Sequence, residues 1–525
     1  MALPGKLLGG KDSTEVSAFG LWSVAYWIAL ALAAIIFAFF RSPTSLFQDE
    51  SYAVWLAGNG WGHIWRFISF EPHPPLYHAT LSIWIRVFGD SERAVRGLSG
   101  TFYLLSLATT ALIGRQVFRR NELKVLLVLV ACCPVLIEAA DYGRMFTLLF
   151  FESCAALLSF YVVFVRSSPR RIAAICLGIA NLAGMLTHYY FAFVLLSEGV
   201  VFLLFVRRDW LKAALALGGP AVLFLLLWGA HLHAQLVSGR FPGNTPRSVP
   251  WLGVAAHEIY GYYGKRWAMV ASWLVVCSLA YLLTRRTQQR ESVRFDPRLS
   301  IFATMWAVAF AGPFLGALIV GQDFWKGGMT YLPTMFPFMV VLVLVLGRVI
   351  TRMNIVLVMA ILPVMVLAQL RGDHARQILN QSAWSGIQSL KDSAGDGDVV
   401  VCLDNYITVF YYYAGRAPRP KQLAIVAYPP DLASHPGWYN ETPTLKNLAD
   451  YKAKTRDFAL GLRRDLQDRP GRHVWLVDST WNEQTTQIVT GIFDSSLQRM
   501  GAIRVGNGSG FSQYIEYEVP PKSLI

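Results

Sequence analysis

Up to about residue 370, apolar residues fall into long runs separated by short basic turns; beyond that point the runs shrink to strand length. The long runs are Val16 to Phe40, Gly97 to Phe118, Leu123 to Ala140, Met145 to Val165, Ile172 to Tyr190, Phe191 to Val206, Ala213 to Gly229, Trp267 to Thr284, Leu299 to Val320, Tyr331 to Gly347 and Asn354 to Leu370. A helix rising about 1.5 Å per residue needs roughly 20 apolar residues to cross about 30 Å of hydrocarbon. The pattern therefore predicts a polytopic helical membrane protein with about eleven spans in residues 1–370. The first run exceeds the roughly 7 to 15 apolar residues of a secretory signal and has no small-residue cleavage pattern before Arg41, so it reads as a retained span. An odd number of spans puts the termini on opposite sides.

Two outer segments, Arg41 to Arg96 and about His231 to Arg266, are too long for simple turns, and long ordered loops tend to carry function. In the first, residues 41–96, Asp49 to Ala57 reads as a short helix stopped by Gly58-Asn59-Gly60, and Leu76 to Phe88 as a second. Tyr52, Trp55, Trp61, Trp65, Tyr77 and Trp84 suit helices lying in the membrane interface, where an aromatic belt alone explains most of them. From Arg371, strand-length runs at Val399 to Leu403, Val474 to Val477 and Tyr514 to Tyr517 alternate with helical stretches at Ser382 to Asp392 and Leu445 to Leu466. That alternation predicts an α/β domain over residues 371–525 with no catalytic signature of its own; Gly395-Asp396-Gly397-Asp398 is a turn whose spacing matches no phosphate-binding glycine fingerprint.

Composition agrees: 54% of the 525 residues are hydrophobic and 15% charged, against about 25% charged in soluble domains, which excludes a purely soluble enzyme. The net charge of +14 has the same origin. The N-terminus and the alternate turns hold 19 basic residues against six acidic, whereas the tail from Arg371 holds 17 and 16. Basic residues in short loops stay cytoplasmic, so the excess marks the inner side and leaves no case for nucleic acid. The N-terminus is expected in the cytoplasm and the tail outside. Cys402 is the only cysteine in the tail and no metal-ligand spacing of Cys and His occurs, so neither a tail disulfide, a metal nor a cofactor is expected.

Asp49 and Glu50 stand where the first span meets the outer surface and a helix begins. A carboxylate there gains about 0.3 to 1 kcal/mol from the helix dipole, which is reason enough for its presence. Successive helical positions point about 100° apart, so the two carboxylates cannot address one atom; one suits a general base and the other orients the loop. Asp49 draws weight from the residues downstream of it: Glu71-Pro72-His73-Pro74-Pro75-Leu76-Tyr77, in which the prolines make a rigid extended strap, then Gly89-Asp90-Ser91-Glu92 and Arg96. Glu152 and Glu198, about seven residues inside their spans, are either functional carboxylates or helix contacts. His188-Tyr189-Tyr190 either anchors a span end or lines a cavity, and His231 and His233 face different ways on a helix.

Asp49-Glu50, the His73-Pro74-Pro75-Leu76-Tyr77 strap and Phe88-Gly89-x-x-Glu92-x-x-x-Arg96 together resemble the GT-C glycosyltransferases of the protein O-mannosyltransferase and aminoarabinose transferase group. The likeness is strongest over Leu46 to Ser99, continues through Asp141-Tyr142-Gly143-Arg144-Met145-Phe146 and Thr187-His188-Tyr189-Tyr190, and fades after about residue 370. It implies a GT-C-like membrane fold and inverting transfer from a polyprenyl-phosphate sugar, with Asp49 as base assisted by Glu50 and with outer basic residues on the donor phosphate. Arg144 is the first choice for that phosphate, a headgroup anchor or a partner of Asp141 being the plain alternatives; His73 is the second. Tyr52, Tyr77, Arg96, His188, Tyr189 and Tyr331 are the expected cavity residues. Where many relatives have Arg-Tyr-Leu this chain has Thr330-Tyr331-Leu332, and Lys326 is the nearest cation to substitute. Phe146 stands where a tyrosine is common.

The implied partners are the lipid-linked donor, membrane lipids and an acceptor on protein, lipid or polysaccharide, and the implied location is a bacterial inner membrane. A transporter or flippase of lipid-linked glycans also suits many spans and intramembrane carboxylates, although no matching halves are visible. An inactive scaffold with a polymer-binding tail is the third reading.

Overall fold

The computed structural model describes residues 27–28, 30–39, 45–166, 171–237, 296–320, 331–350, 382–403, 406–414, 416, 422–433, 436, 447–469, 471–478, 483–505 and 512–519. The expected spans Trp267 to Thr284 and Asn354 to Leu370, most of the second outer segment, the 370/371 boundary and Lys326 lie outside them.

Three described helices are long and apolar enough to cross a membrane: Glu92–Gly114 (α5), Phe146–Val165 (α8) and Trp210–Leu236 (α11). Leu30–Phe39 (α1), Arg171–Thr187 (α9) and Phe191–Val206 (α10) are shorter apolar helices, and Pro297–Val320 (α12) and Leu332–Ile350 (α13) come after them in the chain. On α1, Leu30, Ala33, Ala34, Phe37 and Ala38 are buried at helical spacing while Leu32, Ile35, Ile36 and Phe39 are exposed. An apolar outward face is what lipid rather than water permits. Gly100 of α5 lets the two backbones meet, since a Cβ there would lie 2.3 Å from the Ala38 carbonyl oxygen.

The expected continuous span Leu123 to Ala140 is broken. Arg120–Ala131 (α6) ends at Cys132, Cys133 is extended (ψ 113°), and Pro134 opens Pro134–Ala140 (α7). Hydropathy runs through this stretch without a gap, but the residue before a proline avoids helical backbone and proline fits the first helical turn. Arg298, one of the cations expected on the inner side from the sequence, is held by Glu122 at 2.7 Å and Asp296 at 2.6 Å, tying α12 to α6.

The outer segment folds as Gln48–Gly58 (α2), Trp61–Phe67 (α3), a 3-10 turn Ile68–Phe70, the strap 71–75 and Leu76–Phe88 (α4). α2 and α4 fall where the sequence predicts them. Gly60 (φ 85°) turns the chain between α2 and α3, a left-handed conformation suited to glycine.

The tail is an α/β unit: Ser382–Ser393 (α14), Val399–Leu403 (β1), Tyr406–Ala414 (α15), Ala424–Tyr428 (β2), Leu448–Gln467 (α16), His473–Asp478 (β3), Glu483–Ser496 (α17), Gln498–Val505 (β4) and Ser512–Glu518 (β5). The sheet order is β2-β1-β3-β5-β4, with β1 parallel to β2 and β3, and β5 antiparallel to β3 and β4. β1 is buried along its length, as a central strand between two layers should be. Its Val400 and Cys402 point into a core shared with α15, α2 and α4, while Val399, Val401 and Leu403 point into a second core with α16 and α17.

Candidate active site

The first turn of α2 carries Asp49 and Glu50, and the two carboxylates have different partners. Glu50, 1% exposed, accepts from Arg96 Nε and Nη2 at 2.9 Å each, from the Gly143 amide at 2.7 Å and from the Phe47 amide at 2.8 Å. Four charge-assisted or capping bonds fill both oxygens and tie Glu50, expected from the sequence as a second catalytic carboxylate, to the surrounding loop. Gly143 permits the contact, because a Cβ there would sit 2.6 Å from Val95 Cγ1 and 3.1 Å from Glu50 Oε1. Arg96, expected in the substrate cavity, is buried in this pair and also donates to the Ser45 carbonyl at 3.1 Å. Its guanidinium anchors Glu50.

Asp49 is half-buried and accepts from Tyr142 Oη at 3.1 Å. Burial and the neighbouring Asp49 carboxylate push the Tyr142 hydroxyl well above the ordinary phenol range, which keeps it a donor. Arg144 Nη1 donates to the Asp49 carbonyl at 3.3 Å and Nη2 meets Glu71 Oε1 at 3.3 Å. Its ion-pair partner is therefore Glu71 of the strap. Arg144 is 5% exposed, and its Nε is buried without a hydrogen-bond partner.

Burial alone would raise the Glu71 carboxyl; the Arg144 charge and His78, whose Nε2 is 3.8 Å away, outweigh it and hold the group below its ordinary value. His73 lies two residues along the strap, its ring 4.7 Å from that of His188 and its Nδ1 buried without a partner. Burial, then His188 and Arg144, depress the His73 imidazole well below its ordinary value, so it is neutral. Ser99 Oγ donates to the Tyr142 carbonyl at 2.8 Å, pinning the Tyr142–Arg144 turn to α5.

Part of this region matches a known family in sequence. Residues 72–232 match the dolichyl-phosphate-mannose-protein mannosyltransferase family model. The match contains residues 72–75 of the strap and the Asp141–Phe146 turn. No curated protein matches the chain. Among solved structures the chain is similar to ArnT from Cupriavidus metallidurans bound to undecaprenyl phosphate, with 14% identity, 94% of this chain and 98% of that chain covered, and a TM-score of 0.49. It is also similar to the Archaeoglobus fulgidus oligosaccharyltransferase in complex with zinc and sulfate, with 14% identity, 94% and 73% coverage, and a TM-score of 0.47.

The other expected cavity residues divide. His188 is fully buried beside His73, with Nδ1 accepting from the Tyr190 amide at 3.1 Å and Nε2 lacking a partner. Tyr77 is buried on α4. Tyr52 stacks on Trp55 at 5.8 Å within α2. Tyr331 meets Tyr190 edge-on at 6.2 Å. The Tyr189 hydroxyl accepts from Trp228 Nε1 at 2.8 Å and bonds Gln235, whose Nε2 donates to the Glu71 carbonyl. Sequence reasoning gives no role to Glu71, His78, Tyr142 or Gln235. A carboxylate flanked by prolines is the available signal for Glu71; Gln235 has none.

Proposed function

We propose that this chain is an integral-membrane glycosyltransferase that moves a sugar from a polyprenyl-phosphate donor to an acceptor hydroxyl or phosphate outside a bacterial inner membrane, with inversion. The observation that carries the reading is one carboxylate, Asp49, left with a neutral donor while its neighbours Glu50 and Glu71 are each neutralised by a guanidinium. Asp49 takes the proton of the acceptor hydroxyl as its oxygen attacks the anomeric carbon. The leaving phosphate is already a stable anion, so no general acid is needed, only donors aimed at it. Arg144 Nε, His73 Nδ1 and His188 Nε2 are buried without a hydrogen-bond partner, and the two imidazole rings lie together. Arg144 supplies the charge, and a neutral imidazole adds one N–H.

Transport draws on Glu152 and Glu198, but each is joined to a neighbouring helix: Thr187 Oγ1 donates to Glu152 at 2.8 Å and Asn181 Nδ2 to Glu198 at 2.9 Å. In membranes supplied with radiolabelled polyprenyl-phosphate sugars, the wild-type chain transfers label to an endogenous acceptor. Arg144→Ala raises the donor KM by about tenfold or more, the scale of a lost charge-assisted bond, and leaves the acceptor KM unchanged. Absence of any transfer, or a change confined to the acceptor KM, contradicts the reading.

A further inference from the structure

The tail sheet does not stand apart from the outer loop. One face of it is covered by α14 and α15, and the far side of that layer shares a core with α2 and α4: Ile407, Phe410 and Tyr413 lie with Leu46, Ala53, Val54, Ala57 and Leu81. Polar contacts run along the same seam. The Tyr413 hydroxyl accepts from the Leu46 amide at 2.6 Å in a buried bond, and the Trp384 amide donates to Ser45 Oγ at 3.2 Å. Tyr412 Oη donates to the Asp90 carbonyl at 2.8 Å, and Arg416, lying 3.7 Å over the Tyr412 ring, pairs with the Asp90 carboxylate.

The bond at Leu46 bears on the catalytic turn. The amides entering a helix have no partner within it. Here the Phe47 amide is taken by Glu50 from inside the turn, and the preceding Leu46 amide is taken by Tyr413 from the tail. Ser45, one residue further back, is gripped from both sides, by Arg96 on its carbonyl and Trp384 on its hydroxyl. The backbone leading into Asp49 is thus fixed by an internal clamp, Glu50 with Arg96, and by an external one, α15 with α14.

We propose that the C-terminal α/β unit sets the aim of the Asp49 turn, with Tyr413 as a positioning residue that acts through the Leu46 amide. The effect on transfer rests on Asp49 being the base; the effect on the turn itself does not. The test uses the detergent-solubilised full chain with Cys176, the exposed cysteine among the described residues, changed to Ser. Asp49→Cys is alkylated with a maleimide, and Asn59→Cys, at the exposed far end of α2, serves as reference. Adding Tyr413→Phe, which removes the acceptor and keeps the ring, speeds alkylation at position 49 by about fivefold and leaves position 59 unchanged, as expected when one turn of a helix opens locally.

In the otherwise native chain, Tyr413→Phe lowers kcat about tenfold with the donor KM within about twofold, the signature of a base moved off its line. Arg416→Ala loosens the same seam at Asp90 without touching α2 and shifts both readouts in the same direction by less; it carries the test alone if Tyr413→Phe is not recovered folded. Unchanged alkylation at position 49 in the variants that fold overturns the proposal. A changed alkylation rate with unchanged kcat keeps the clamp and removes Asp49 from the chemistry.

Discussion

Two sets of buried carboxylates in the chain are partnered in opposite ways. In the outer loop Glu50 and Glu71 each meet a guanidinium, Arg96 at 2.9 Å and Arg144 at 3.3 Å. Among the helices Glu152 and Glu198 are answered by a hydroxyl and a carboxamide, and each keeps one oxygen without a partner. Paired charge sits in the loop around Asp49 and again where Glu122 meets Arg298, while Glu152 and Glu198 serve as hydrogen-bond acceptors between helices. A transport path would invert that distribution, placing the paired charges along the spans.

The comparison breaks most visibly at its tightest ion pair. Arg96→Ala leaves Glu50 buried with its charge uncompensated, and should lower stability by about 3 to 5 kcal/mol, read as a large drop in the thermal midpoint in detergent. A drop no larger than that of an exposed substitution such as Lys452→Ala would mean that the loop is held elsewhere. A smaller effect is expected from His73, whose depressed imidazole stays neutral in the folded chain but takes a proton below about pH 6.5 once unfolded. The unfolded state then binds more protons, so His73 withdraws stability as pH falls, by about 1.4 kcal/mol at pH 5.5. His73→Gln should remove about that much of the stability lost between pH 7.5 and 5.5, read as a flatter decline of the thermal midpoint; an unchanged slope would show a solvated ring. The smallest effect is expected inside the helices, where Glu152→Gln keeps an acceptor for Thr187 and should leave transfer within about twofold of wild type, as a lone neutral hydrogen bond implies. A collapse of activity there would revive the transport reading.

Much of this outer region is legible in the chain itself. The Gly58-Asn59-Gly60 stop and the apolar run after Pro75 delimit α2 and α4 without reference to anything distant, and the Asp49, His73 and Arg144 motifs come together in space. The partners of those residues are not legible, because they depend on separations that local pattern cannot see. Glu50 finds Arg96 46 positions away, and Leu46 finds Tyr413 367 positions away. Adjacent carboxylates look equivalent in sequence; only the bidentate pair shows that one of them is already saturated. The same limit applies to β2 and β4, which are half-exposed strands with weak alternation, and to the break at Cys132 and Cys133, where hydropathy outvotes a single proline.

The central claim is that Asp49, and neither Glu50 nor Glu71, takes the acceptor's proton. The most direct measurement compares kcat for transfer from a polyprenyl-phosphate sugar in wild type and Asp49→Asn, with the thermal midpoint recorded for both. The account predicts a fall of at least about 10²-fold in kcat with the midpoint preserved. Transfer at the wild-type rate by a folded Asp49→Asn chain would contradict it.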